Sequence, residues 1–112
     1  MRQLLERGHR VHVVDNLMFG GETMIPLFIH PEFSFSNVDI CDREALAKEM
    51  EGVEAVVHLA ALVGYPLCKK LPQRATQVNV GGTINVIETM PKTAHLVYAS
   101  TGSNYGEVTG IC

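Results

Sequence analysis

The chain has 112 residues, 46% of them hydrophobic, and nine Lys and Arg against twelve Asp and Glu, for a formal net charge of −3. That length holds one domain or a piece of one, and an intact globule of this size buries roughly two-thirds of its unfolded surface. The acidic balance leaves no basic patch and argues against nucleic acid as a partner. The longest apolar stretch, residues 53–68, is broken by Glu54, His58 and Pro66 and is too short for a membrane span.

Residues 1–7 (MRQLLER) read as the closing turns of a helix, with Leu4 and Leu5 on its apolar face and Gly8 at its C-terminal stop. Four apolar runs follow: 10–15 (RVHVVD), 35–40 (FSNVDI), 55–61 (AVVHLAA) and 95–101 (HLVYAST). Each predicts a short buried strand bounded by turn or helix signals. Between them lie a loop at 16–22 punctuated by Gly20-Gly21, a short helix at 23–30, and a helix at 43–50 with Asp42 as its N-cap and Gly52 as its stop. After a loop at 62–71 comes the longest helix, 72–90, with Pro72 in its first turn. Ala75, Val78, Gly82, Val86 and Met90 recur at three- and four-residue steps as its packed face. Gly81-Gly82 costs about 1 kcal/mol per residue against alanine there, which close packing on the sheet would offset. The order α-β-α-β-α-β-α-β predicts an α/β fold with a parallel, right-handed, doubly wound sheet.

In such a sheet, ligands bind outside the carboxyl ends of the strands, and here those ends carry small or polar groups. Asp15 has two readings: an acceptor for both hydroxyls of an adenosine ribose, which favours NAD over NADP, or a turn-forming Asp before Asn16. Asp39 is an acceptor for the adenine amine, with Ile40 packed on the ring, or a cap for the next helix, the role assigned to Asp42. Leu59, Ala60 and Ala61 give a strand end with little side chain, open to a cofactor or simply tightly packed. His58, inside an apolar run, reads as a core histidine. Asn79 is a plain helix residue or a bridge to the neighbouring strand's backbone. Ser100 and Thr101 place hydroxyls at the last strand end, suited to a substrate hydroxyl or carbonyl.

No nucleophile–base pair is visible in the linear sequence, and the five histidines show no metal-ligand spacing. Cys41, Cys68 and Cys112 lack CxxC spacing, which predicts free thiols in a reducing, cytoplasmic setting. Met1 opens a helical pattern and not the apolar core of a signal peptide.

The segments RVHVVDNLMFGG, VDICDREAL, VVHLAALVG, VNVGGTINVIE and VYASTGSNYG, in this order, resemble the extended short-chain dehydrogenase/reductase family. Its members relevant here are the NAD-dependent sugar-nucleotide epimerases and dehydratases. The resemblance implies an NAD-binding Rossmann-like sheet. Asp15 would hold the adenosine ribose, with Asn16, Leu17 and Gly20 in the loop beside it. Asp39 and Ile40 would hold adenine, and Leu59, Ala60 and Ala61 would run beside the pyrophosphate and nicotinamide ribose. Asn79 would be the helix asparagine of the Asn-Val-x-Gly-Thr motif. Thr101, with Ser100 before it, would be the hydroxyl that assists a catalytic tyrosine.

The family's Gly-x-x-Gly-x-x-Gly turn belongs before Met1, and its Tyr-x-x-x-Lys pair belongs beyond Cys112. Tyr105 has Thr109 four residues on and is not that tyrosine. Gly102-Ser103 stand where 4,6-dehydratases carry Asp-Glu, which leaves an epimerase-like or reductase-like branch.

Residues 1–112 are therefore expected to be a partial dinucleotide-binding domain, missing the first, central strand and the C-terminal region. The runs at 10–15 and 55–61 then lose their shared neighbour, and they either pair directly or keep unpaired edges. By itself the chain is expected to bind NAD weakly and not to turn over substrate. The reading is an NAD-dependent nucleotide-sugar epimerase resembling UDP-glucose 4-epimerase, with transient hydride transfer between sugar and NAD. Its relatives commonly form homodimers through helices that include 72–90. The alternatives are a non-catalytic nucleotide-binding module or a non-functional truncated product.

Overall fold

The structure, a computed structural model, describes residues 1–18, 20–62 and 69–100. Helix α1 (Arg2–Glu6) is capped at Arg7, and Gly8 then takes φ +86°, a conformation that strains any residue with a Cβ. Strand β1 (Val11–Asp15) pairs in parallel with β2 (Phe33–Asn37), Val11 opposite Phe33 and Asp15 opposite Asn37. The segment between them holds a 3₁₀ turn, Glu22–Leu27, where the sequence predicts a helix over 23–30. Pro26 lies inside this turn and has no amide to offer an α-helical ladder.

Helix α2 (Arg43–Glu49) starts as expected: the Asp42 carboxylate accepts from the Ala45 amide at 3.2 Å. Strand β3 (Ala55–His58) pairs in parallel with β4 (His95–Tyr98), Ala55 opposite His95 and His58 opposite Tyr98. All four strands are shorter than or displaced from their predicted runs, because each stops where its partner stops. β2 begins at Phe33 and leaves the sheet before Asp39, whose backbone carbonyl accepts from Asp42 in a tight turn. β3 ends at His58, whose carbonyl accepts from the Ala99 amide just past the end of β4.

Among the described residues, β1–β2 and β3–β4 are separate two-stranded sheets. Of the two expected outcomes, the strands have not closed up. One apolar cluster nevertheless ties the halves together: Ile40, Leu46, Met50, Leu62, Val78 and Val86 pack with Val14 of β1 and Val56 of β3. A second cluster joins Leu5, Met24, Leu27 and Phe33 on the outer side of β1–β2. β4 is exposed at all four positions, β1 has no buried residue, and β2 and β3 bury only Phe33 and His58, which corrects the expectation of four buried strands. Its one paired neighbour among the described residues is β3.

The predicted helix over 72–90 is a helical run in three parts: α3 (Pro72–Thr76), a π-helical stretch (Gln77–Gly82) and α4 (Thr83–Thr89). Met90 leaves it with extended ψ 149°, as the residue before Pro91 prefers. Within the run the Thr83 hydroxyl donates to the Asn79 carbonyl at 2.6 Å, as the Thr76 and Thr89 hydroxyls donate to carbonyls four residues back in the flanking α-helical parts. Close packing explains Gly82, where a Cβ would stand 2.4 Å from Ile40 Cδ1. It does not explain Gly81, where a Cβ would meet nothing within 4 Å.

Candidate functional site

The carboxyl ends of β1, β2 and β3 open onto one cleft. Its wall includes Asp15, Asn16, Asp39, Ile40, Leu59, Ala60 and Ala61, with Val14, Met18, Val38, Leu62 and Val78 completing it. Seven of the sequence-derived candidates thus meet although they span residues 15 to 61 of the chain.

Both readings of Asp15 coexist. Oδ1 accepts from the Leu17 amide at 2.7 Å, the turn-forming role. Asp15 also lines the cleft, where its carboxylate has acceptor capacity left for a ligand diol. Leu17 pays for this turn with φ +59°, a backbone region that branched side chains rarely enter. Its amide serves Asp15, while neither Leu17 nor Gly20 lines the cleft.

Asp39 is the most constrained side chain here. Oδ1 accepts from the Cys41 amide at 2.8 Å, and Oδ2 accepts from Arg74 Nη2 at 2.9 Å and from Asn16 Nδ2 at 3.5 Å. The Cys41 amide first, and then the Arg74 guanidinium, hold the carboxyl below the usual carboxylate range, against a desolvation that pushes upward. Asp39 is therefore not a helix cap; Asp42 has that role. Arg74 went unmarked in the sequence because nothing local connects it with a residue 35 positions away.

The helical run fixes the rest of the wall. Asn85 Nδ2 donates to the Ile40 carbonyl at 2.9 Å. Asn79 holds the Leu62 backbone by its amide and carbonyl, which places Asn79 behind the cleft and not in it. His58 is a core histidine, 5% exposed, with Nε2 2.8 Å from Thr83 Oγ1. That hydroxyl already donates to Asn79, so His58 supplies the proton between them, and burial pushes its pKa down. Ser100 lies exposed beyond β4, and Thr101 lies outside the described residues.

A nucleophile–base pair hidden in the sequence does form, away from the cleft. His12 Nδ1 is 2.7 Å from Ser34 Oγ, and His12 Nε2 is 2.6 Å from Glu49 Oε2, which also accepts from Ser36. The β1–β2 register sets His12 opposite Ser34. None of these residues borders the cleft.

The family model for the NAD dependent epimerase/dehydratase family matches residues 1–111. The chain belongs to that family. A putative UDP-glucose 4-epimerase of Methanocaldococcus jannaschii is 35% identical over 109 residues, covering 94% of this chain and 34% of that protein. Among solved structures, the UDP-Glc/GlcNAc 4-epimerase of Campylobacter jejuni aligns with a TM-score of 0.85 at 30% identity, over 95% of this chain and 34% of that one. The UDP-glucose-4-epimerase of Stenotrophomonas maltophila, solved with bound NAD and formylated UDP-arabinopyranose, aligns with a TM-score of 0.84 at 28% identity, over 96% of this chain and 34% of that one. The chain thus spans about a third of the length of these relatives. The family is NAD-dependent, and the two parallel strand pairs are an incomplete Rossmann-like sheet. Among the described residues no helix is long and apolar enough to cross a membrane.

Proposed function

We propose that residues 1–112 are the NAD-binding part of a nucleotide-sugar epimerase resembling UDP-glucose 4-epimerase. The observation that carries this reading is the convergence of Asp15, Asp39, Ile40, Leu59, Ala60 and Ala61 on one cleft at the strand ends. That donor set fits NAD: two carboxylates offer acceptors for ribose hydroxyls and an adenine amine, and small strand-end residues let a ligand approach the backbone. The named activities and ligands of the relatives support the choice of reaction and of a nucleotide-sugar substrate.

In this reading Asp15 binds the adenosine ribose, with its own loop (Asn16, Leu17, Gly20) shaped by the Asp15–Leu17 bond. Asp39 and Ile40 bind adenine. Leu59, Ala60 and Ala61 border the pyrophosphate and nicotinamide ribose, and Asn79 keeps that segment in place through Leu62. Ser100 and Thr101 serve the substrate end, Thr101 by hydrogen-bonding the sugar hydroxyl that loses its proton. NAD, when bound, supplies a reversible hydride acceptor for a sugar carbon. Val80, Ile84 and Ile87, exposed along the helical run, are assigned to contact with a second copy of the protein.

Amide spectra of the isotopically labelled chain, recorded during an NAD titration, test the cofactor part. Shifts should concentrate at Asp15, Asn16, Asp39, Ile40, Ala60 and Ala61. Their absence at millimolar NAD, or a scatter over unrelated surfaces, would overturn it. The epimerase part predicts that the protein carrying this chain converts UDP-glucose to its C4 epimer with no net consumption of NAD. Stoichiometric NADH release would instead mark a dehydrogenase.

A further inference from the structure

We propose that Arg74 sets purine specificity: it fixes the Asp39 carboxylate as an acceptor, so that the cleft takes a 6-amino purine and rejects a 6-oxo purine. This rests on the reading of the cleft as an adenosine site. Arg74 comes from α3 and is not part of the cleft wall, so it acts through Asp39 as a positioning residue.

The guanidinium is itself held from two sides. Nη1 donates to Gln77 Oε1 at 3.0 Å on its own helical run, and Nη2 donates to Asp39 Oδ2 at 2.9 Å. Asp39 is then pinned at both oxygens, by Arg74 on one and by the Cys41 amide on the other. The Asn16 contact, at 3.5 Å, is too long to replace either.

An ionised carboxylate offers only acceptors, with two lone pairs on each oxygen, so capacity is left for one further N–H. A 6-amino group donates to it. A 6-oxo group brings its own lone pairs against the carboxylate and is repelled. Without Arg74, Asp39 keeps its charge but loses the Nη2 hydrogen bond that fixes Oδ2, and the discrimination weakens. Lysine supplies charge without the planar group that bridges Gln77 and Asp39, and restores only part of it.

The test is an amide-shift titration of the chain with AMP and with IMP, which share ribose and phosphate and differ in the purine. The native chain should bind AMP at least about tenfold more tightly than IMP. Arg74→Met should bring that ratio to about twofold or less, mainly by weakening AMP, and Arg74→Lys should fall between. Asp39→Asn should favour IMP, because its amide can donate to the 6-oxo group. An unchanged ratio in Arg74→Met overturns the proposal and leaves the adenosine-site reading standing. An equal loss of both nucleotides also overturns it, since Arg74 would then be a structural support only. If neither nucleotide shifts Asp15 or Asp39 in the native chain, the adenosine-site reading fails and takes the proposal with it. Native-like spectra establish that each variant folds, and Arg74→Lys keeps the test decisive should Arg74→Met not fold.

Discussion

Asn79 and Leu62 are joined by two hydrogen bonds: Asn79 Nδ2 donates to the Leu62 carbonyl at 3.0 Å, and Asn79 Oδ1 accepts from the Leu62 amide at 2.8 Å. Leu62 is 3% exposed, so its backbone polar groups have little access to water. Asn79→Ala removes both of these hydrogen bonds from the backbone of a buried residue, at an expected cost of about 1–3 kcal/mol. Asn79→Asp keeps the acceptor but turns a second oxygen toward the Leu62 carbonyl, and should destabilise as well. Urea unfolding of the two variants against the native chain checks both. Midpoints unchanged within error would mean that the clamp does not form in solution.

Gly82 and Gly81 stand side by side on one helical run and should respond in opposite ways to alanine. A Cβ on Gly82 would meet Ile40 Cδ1 at 2.4 Å and Cγ1 at 2.7 Å, and Ile40 is buried. Ile40 is β-branched and has few alternative rotamers, so Gly82→Ala should destabilise by about 1–3 kcal/mol through overpacking. A Cβ on Gly81 meets nothing within 4 Å, so Gly81→Ala should stabilise by about 0.5–1 kcal/mol. Thermal unfolding of the pair decides it, and equal effects at the two positions would contradict the packing account.

The contrast shows what the sequence could and could not convey. The pattern of apolar runs marked four strands and their parallel order, because alternation and turn residues are local. The strand ends were displaced by up to three residues, since a partner strand, and not the run itself, decides where pairing stops: β2 ends at Asn37, opposite Asp15. Asp15, Asp39 and Ile40 were legible as candidates because they close apolar runs. Arg74 and Asn85 were not, because each meets the cleft wall only through a fold that brings together residues 35 and 45 positions apart. The same holds for Ser34 and His12, whose pairing depends on sheet register.

His58 gives the stability a pH dependence of known sign. Its folded pKa lies below the ordinary value of 6.5 because burial disfavours the imidazolium. Below about pH 6.5 the unfolded chain therefore binds a proton that the folded chain does not, so stability rises with pH in this window and falls as the pH drops through it. The slope from one such group is at most about 1.4 kcal/mol per pH unit. His58→Asn removes the titration, and the native chain should lose more stability than the variant between about pH 7 and pH 5. Parallel pH profiles would show that His58 is not buried neutral. The other histidines cancel in this difference.

The helical run presents a second apolar face, opposite in purpose to the one that packs on Ile40 and Leu62. Val80, Ile84 and Ile87 recur at four- and three-residue steps and are 55%, 47% and 53% exposed. In the proposed dimer this stripe would meet the same stripe of a second copy across a two-fold axis, where each residue counts twice. Burying the remaining surface of each isoleucine contributes about 1 kcal/mol. Ile84→Glu with Ile87→Glu should therefore weaken a dimer of the protein carrying this chain by about a hundredfold or more. The isolated 112-residue chain should keep its stability within about 0.5 kcal/mol, because both side chains are exposed in it. Sedimentation velocity across a concentration series reads both states. A native protein that stays monomeric at about 100 μM, well above the Kd expected of a stable interface, would rule out this face as a self-association surface.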